Sequence, residues 1–114
     1  MRSIYFIAIL FLCCNSGIAQ SGLIDSLKIA LKNAKHDSTR CNILNAMIEN
    51  ESDDAIWPIY NEQLYKISKT YNSSINSDTK NYFLIFYALS LNNFGYLYMK
   101  KGMTESAYQY YYKA

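Results

Sequence analysis

Apolar residues recur along this chain at steps of three and four, the spacing of one face of an α-helix. Polar segments at about 33–39, 50–54 and 72–78 interrupt the pattern. The chain is therefore predicted to be helical throughout, with short connections. The first three apolar stripes are Leu23, Leu27, Leu31 and Ala34; then Ile43, Leu44, Met47 and Ile48; then Ile56, Tyr60, Leu64, Ile67 and Tyr71.

Residues that favour helix starts lie before the second and third stripes. Asp37 or Ser38 can cap the second helix with a side-chain oxygen. Pro58 falls in the third stripe, where it removes a backbone donor and crowds the preceding turn. Proline is tolerated in a first turn, so this helix can begin at Trp57, but the pattern leaves the boundary open.

A long apolar segment runs from about Thr79 to Met99 and ends at two lysines. Lysine suits the negative end of a helix dipole. Gly102 follows and is expected to end the helix in a left-handed conformation. A last helix is then predicted to open at Met103 or Thr104.

The same segment allows a second interpretation, because residues 81–99 contain no charged side chain. Nineteen such residues are long enough for a membrane span. Ser90, Asn92, Asn93 and Gly95 lie within it, however, and adjacent amides are costly in hydrocarbon. A membrane protein with a span at about 81–99 is the weaker alternative.

The C-terminal third, about 88–114, resembles the tetratricopeptide repeat, a unit of 34 residues that folds as a helical hairpin. The resemblance implies an all-α fold of antiparallel helix pairs stacked into a right-handed α-solenoid. A generic helical hairpin is the simpler alternative. The residues that match the preferred positions of the repeat are Leu91, Phe94, Gly95, Tyr98, Gly102, Ala107, Tyr111 and Ala114.

Both the resemblance and elementary sterics assign a packing role to the small residues of this motif. Gly95 and Ala107 are expected to let the two helices approach, while Phe94, Tyr98 and Tyr111 fill the space around that contact. Ala114 would leave room for the first helix of a following unit. It falls inside the second helix of the repeat, so the array is expected to be incomplete.

Residues 38–71 fit the repeat less well and are interpreted as a degenerate helix pair. No glycine or alanine stands where the close contact is expected. Leu44 and Leu91 are separated by 47 positions, more than the length of one repeat. The loop at 72–78 and a lengthened following helix would have to absorb the difference.

The N-terminal 19 residues read as a secretory signal peptide. Arg2 precedes an apolar run from Ile4 to Cys14, and Gly17 and Ala19 are small residues at the cleavage positions. Cleavage after Ala19 would leave a helical repeat domain at 20–114 in an exported, periplasmic or extracytoplasmic location. A lipoprotein and an uncleaved anchor are the alternatives.

Composition limits the kinds of binding and catalytic site that are expected in this chain. A net charge of +2 over 114 residues gives no basis for nucleic-acid binding. Cys41 is the only cysteine beyond the signal segment and His36 the only histidine, so neither a disulfide nor a histidine metal site is expected. Cys41 is interpreted as a small buried hydrophobe. We expect no enzyme activity, no cofactor and no metal.

These observations favour a non-catalytic protein–protein interaction module. The partner would be a protein or peptide, or further repeats of a longer chain. Its binding face is expected on the first helices, at Asn92, Asn93 and Tyr96. The alternative is the sensory N-terminal fragment of an envelope histidine kinase or transcriptional regulator. That reading would give the chain membrane contact only through the signal peptide or a downstream span.

Overall fold

The computed structural model describes residues 21–114, and every regular element in that range is helical. The predicted signal peptide at 1–19 lies outside the described residues. A short 3-10 turn, Tyr71–Ser73, follows the third helix. The α-helices within residues 21–114 are α1 (21–33), α2 (Asp37–Asn50), α3 (Trp57–Thr70), α4 (Ser77–Lys100) and α5 (Thr104–Lys113).

Helix α2 begins at Asp37, so its capping position lies one residue before the first predicted cap. The capping position is His36, and no side chain caps the helix there. Asp37 is already helical, and its carboxylate instead accepts hydrogen bonds from Arg40 at 2.7 Å and from the Tyr71 hydroxyl at 2.6 Å. The prediction that Asp37 or Ser38 caps this helix is therefore wrong, because a tertiary contact competes for the carboxylate.

The boundary left open at Pro58 is settled by α3, which begins at Trp57 with the proline in its first turn. A turn stabilised by Asp53, whose carboxylate accepts from the Ala55 amide at 2.8 Å, leads into it. Helix α4 begins at Ser77, two residues before the predicted start. The side chain of Asn76 caps it by accepting from the Thr79 amide at 3.0 Å.

The helices follow one another as antiparallel neighbours. Tyr71 at the end of α3 reaches Asp37 at the start of α2, and it also stacks on Phe83 in the first half of α4. Trp57 at the start of α3 instead contacts Tyr96 near the end of α4. Two helical hairpins result, α2/α3 and α4/α5, in which α2 and α4 run parallel. The predicted all-α class is confirmed.

One hydrophobic cluster contains residues from each of the helices α1, α2, α3 and α4. Helix α1 contributes Ile24, and α2 and α3 contribute side chains that are fully buried. Since the members from α2 and from α3 lie at helical spacing, each of these two helices contributes one face to the cluster. The buried members of the cluster are Ile24, Cys41, Leu44, Met47, Tyr60, Leu64, Phe83 and Phe86.

The α4/α5 hairpin is closed by aromatic packing around two small residues. Gly95 is buried beside the ring of Tyr111, and Ala107 is completely buried. Tyr110 stacks on Tyr98 with ring centroids 5.2 Å apart and also contacts Phe94 at 5.4 Å.

Gly102 lies in the turn that joins the two helices of this hairpin. Gly102 takes a φ of 74°, the left-handed conformation predicted for the end of α4. Ala114 directly follows α5 and is exposed. Leu91, in the middle of α4, is buried.

The alternative of a membrane span at 81–99 is not supported by α4. No helix within residues 21–114 combines the length and apolar character needed to cross a membrane.

Candidate functional site

Helix α4 presents an exposed strip that is mostly apolar and aromatic. Its members recur at steps of three and four and so share one side of the helix. Ile85 is 61% exposed and Tyr96 is 51% exposed. The strip consists of Tyr82, Ile85, Leu89, Asn92 and Tyr96.

The polar side of α2 lies alongside this strip. The Asn42 amide donates to the Tyr82 hydroxyl at 2.9 Å, which joins the two helices near their N-terminal ends. One turn further along α2, the Asn45 amide donates to the Glu49 carboxylate at 3.1 Å. We call the strip of α4 together with Asn42, Asn45 and Glu49 the α2–α4 face.

A cleft of about 430 Å³ opens at the C-terminal end of the α2–α4 face. Its aromatic walls are Trp57 and Tyr96, with ring centroids 6.4 Å apart and planes inclined by 41°. We call it the aromatic cleft. Its charged lining consists of Glu49, Glu51, Asp54 and Lys100.

Asp54 organises the aromatic cleft through both of its carboxylate oxygens. One accepts from the Trp57 indole N–H at 2.7 Å, which fixes the ring, and the other accepts from the Lys100 ammonium at 2.5 Å. The hydrogen bond from Lys100, with that from Trp57, holds the pKa of Asp54 below its ordinary value. The same contact raises the pKa of Lys100.

The Lys100 ammonium also lies over the ring of Tyr96, with its nitrogen 5.4 Å from the ring centroid. An aromatic face and a carboxylate thus hold one cation together. The electrostatic attraction of a cation to an aromatic face adds to the ion pair at such a site. In the aromatic cleft, the positively charged group held in this way is that of Lys100.

The three residues predicted to bind a partner have different environments. Tyr96 lines the aromatic cleft, and Asn92 is exposed on the α4 strip. Asn93 also borders the cleft but is half-buried, and its amide donates to the Asn61 side chain at 3.0 Å. Part of its hydrogen-bonding capacity is thus used inside the protein.

Asn61 is the centre of a buried polar connection between α3 and α4. It is completely buried. Its amide donates to the Ser90 carbonyl at 3.0 Å, while its side-chain oxygen accepts from Asn93. This arrangement satisfies a buried amide and fixes the register of the two helices.

Sequence reasoning missed Trp57, Asp54 and Lys100 as site residues. The sequence pattern places Asp54 in a polar connection at 50–54 and Lys100 at the negative end of a helix dipole. The one tryptophan of the chain stands beside an acidic segment, and this was a local sequence signal that could have pointed to a binding site. The contact between Asp54 and Lys100 joins positions 46 apart, which depends on how α3 packs on α4.

A second, more open groove of about 640 Å³ lies at the other end of the α2–α4 face. Its walls include Asp37, Tyr71, Tyr82 and Phe83. The hydrogen bond from Tyr71 lowers the pKa of Asp37, and the same bond raises the pKa of Tyr71. Because the bond ties α2 to the end of α3, its evident role is to hold the hairpin closed.

Cys41 and His36 form no nucleophilic pair. Cys41 is completely buried in the hydrophobic cluster, and burial raises the pKa of its thiol to about 11. His36 is exposed at the start of α2. Within residues 21–114, no group of three or more histidine, cysteine or carboxylate side chains is placed to hold a metal ion.

No protein-family model, curated protein or solved structure matches this chain.

Proposed function

We propose that this chain is an exported, non-catalytic protein-interaction module of the tetratricopeptide type, which binds a protein or peptide on the α2–α4 face. The observation that carries the proposal is the exposed strip of α4 that runs beside α2 into the aromatic cleft. Support for the repeat type comes from the succession of two helical hairpins with parallel first helices. In solenoid proteins such stacked helices form extended binding surfaces.

The chemistry of the α2–α4 face suits a peptide. Ile85 and Leu89 offer apolar area, and exposed apolar patches of this kind mark interaction sites. Tyr96 and Trp57 are residue types that contribute strongly to binding at interfaces. Asn92 adds an exposed amide that can donate to and accept from an extended backbone.

The proposal is tested by selecting random short peptides for binding to the full chain. Affinities of the selected peptides are then compared between the parent and Tyr96→Ala. We expect Tyr96→Ala to weaken binding by about tenfold or more, as for an aromatic anchor of an interface. Circular dichroism would verify that the variant remains folded.

Tyr112→Ala is the matched control, because this tyrosine is 90% exposed on α5 and outside the α2–α4 face. Its affinities should equal those of the parent. Failure to select any peptide, or equal affinity for the parent and Tyr96→Ala, would refute the proposed binding face.

The exported location is a separate part of the proposal and depends on the signal peptide expected at 1–19. Mass spectrometry of the chain recovered from the producing cells measures its N-terminus. A mature chain that begins at Gln20 is the expected product. Recovery of the intact chain from the cytoplasm alone would contradict export.

A further inference from the structure

The charges of the aromatic cleft are unequal. Glu49, Glu51 and Asp54 supply three carboxylates, while Lys100 supplies one ammonium group. Lys100 is paired with Asp54. Within residues 21–114, neither Glu49 nor Glu51 takes part in an ion pair. The cleft therefore keeps an excess of negative charge beside its aromatic walls.

Lys100 shows which kind of group the cleft can hold beside the Tyr96 ring. Its ammonium is held by the Asp54 carboxylate and the Tyr96 ring, and Asp54 in turn orients the Trp57 indole. The side chains of Lys100 and Asp54 are 43% and 44% exposed, so solvent reaches the pair. A solvated ion pair of this kind contributes little to stability and can be exchanged for another.

We propose that the aromatic cleft binds a lysine or arginine side chain of a basic peptide, and that Lys100 is an internal competitor for that position. The inference rests on the proposed function and names the class of its ligand. The incoming cation displaces Lys100 from Asp54 and Tyr96, and Glu49 and Glu51 provide further attraction. Apolar side chains next to the cation in the peptide contact the strip at Leu89 and Ile85.

An anionic ligand fits the cleft less well. It would have to take Lys100 away from Asp54 and would then face Glu49 and Glu51. Repulsion between like charges at an interface selects against such a partner. The charge balance thus favours a basic peptide over an acidic one.

The first test measures the binding of three pools of random short peptides to the full chain. The pools have equal apolar content and carry lysine and arginine, or aspartate and glutamate, or no charged residue. The basic pool should bind best, and its affinity should fall as salt screens the carboxylates.

The second test compares Lys100→Gln with Lys101→Gln, which removes the same charge from the neighbouring lysine. Lys101 lies over Tyr98, on the side of α4 that faces α5. Lys100→Gln should raise the affinity for the basic pool by about three- to fivefold beyond the effect of Lys101→Gln, the size of an exposed cation–aromatic contact.

The third test replaces the carboxylates themselves. The double variant Glu49→Gln, Glu51→Gln should weaken the binding of the basic pool by roughly three- to tenfold. Glu62→Gln with Glu105→Gln is the control, since it removes the same charge from exposed positions outside the cleft. Equal weakening by both pairs would overturn the proposal, because only overall charge would then matter.

The outcomes separate this inference from the proposed function. Best binding by the acidic or the uncharged pool, lost in Tyr96→Ala, would overturn the basic ligand and leave the interaction face intact. A loss of basic-pool binding in Lys100→Gln would overturn the competitor role. Failure of every pool to show binding that depends on Tyr96 would overturn both.

Discussion

A Cβ atom on Gly95 would lie 2.6 to 2.9 Å from the ring atoms of Tyr111, closer than real contacts allow. A side chain at this position must therefore displace the ring and separate α5 from α4. We expect Gly95→Leu to lower the free energy of unfolding by roughly 1–3 kcal/mol through overpacking. Chemical denaturation followed by circular dichroism measures the change.

Gly22 provides the matched control for Gly95. It also lies in a helix, α1, but a Cβ there would meet no atom within 4 Å. Gly22→Leu should be neutral or stabilising, because leucine has the higher helix propensity. Combining Gly95→Leu with Tyr111→Ala should recover part of the loss. Additive losses in that double variant would show that the ring is not what opposes the side chain.

Tyr71→Phe tests the hydrogen bond that joins α2 to the end of α3. The change keeps the ring that stacks on Phe83 but removes the hydroxyl that donates to Asp37. We expect a loss of about 0.5–1.5 kcal/mol at neutral pH. Tyr112→Phe, at a position 90% exposed, is the control and should have no effect.

The stability difference between the parent and Tyr71→Phe should depend on pH in a defined direction. The pKa of Asp37 is lowered on folding, so its contribution is present above the ordinary value of 3.8 and is lost as pH falls through the folded pKa. The pKa of Tyr71 is raised, so its contribution is present below 10.0 and is lost as pH rises through the folded pKa. A constant difference across unfolding curves from acid to alkaline pH would contradict this bond.

At the level of whole helices, the pairing of α3 with α4 depends on Asn61. Asn61→Ala leaves a cavity and removes the partner of Asn93, so we expect a loss of about 2–4 kcal/mol. Asn92→Ala, one position away from Asn93 but exposed, should change stability by less than about 0.5 kcal/mol. Thermal denaturation of both variants measures and compares their stability. Equal stability of the two would mean that the buried amide does not hold the helices in register.

Helix existence was predictable from sequence because periodicity reports which face each helix buries. Leu44 and Leu64 were placed in apolar stripes, and both are completely buried. The end of α4 was predictable because a left-handed residue at Gly102 is a local requirement. The start of α2 was not, because the carboxylate of Asp37 is engaged by Tyr71, which lies 34 positions away.

The length of α4 accounts for much of the sequence separation between the two hairpins, which separates Leu44 from Leu91 by 47 positions. It has 24 residues, whereas α2 and α3 have 14 each. Its first half packs against the end of α3 through the stack of Phe83 on Tyr71. The additional turns of α4 are therefore packed against a neighbouring element. Periodicity predicted the long helix, but the aromatic cleft needed the relative positions of Asp54 and Lys100, which come only from the packing.

At the scale of the whole described range, residues 21–114, burial is concentrated away from α5. Completely buried side chains occur at Cys41, Leu44 and Met47 in α2 and at Leu64 in α3. Helix α5 has one buried residue, Ala107. Regions with few buried contacts open at lower free energy than the core. Helix α5 should therefore open without the rest of the protein.

Native-state hydrogen exchange tests this expectation. The amides of α2 and α3 should exchange most slowly, through global unfolding, and those of α5 faster, through local separation from α4. Gly95→Leu acts at the α4/α5 contact, so it should accelerate exchange in α5 and leave the slowest amides of α2 less affected. Equal protection in all helices, or equal acceleration by Gly95→Leu, would show instead that the two hairpins unfold as one cooperative unit. Opening of α5 alone would give this helix its own stability plus a term for its contact with α4, in the way that nearest-neighbour terms add in stacked repeats.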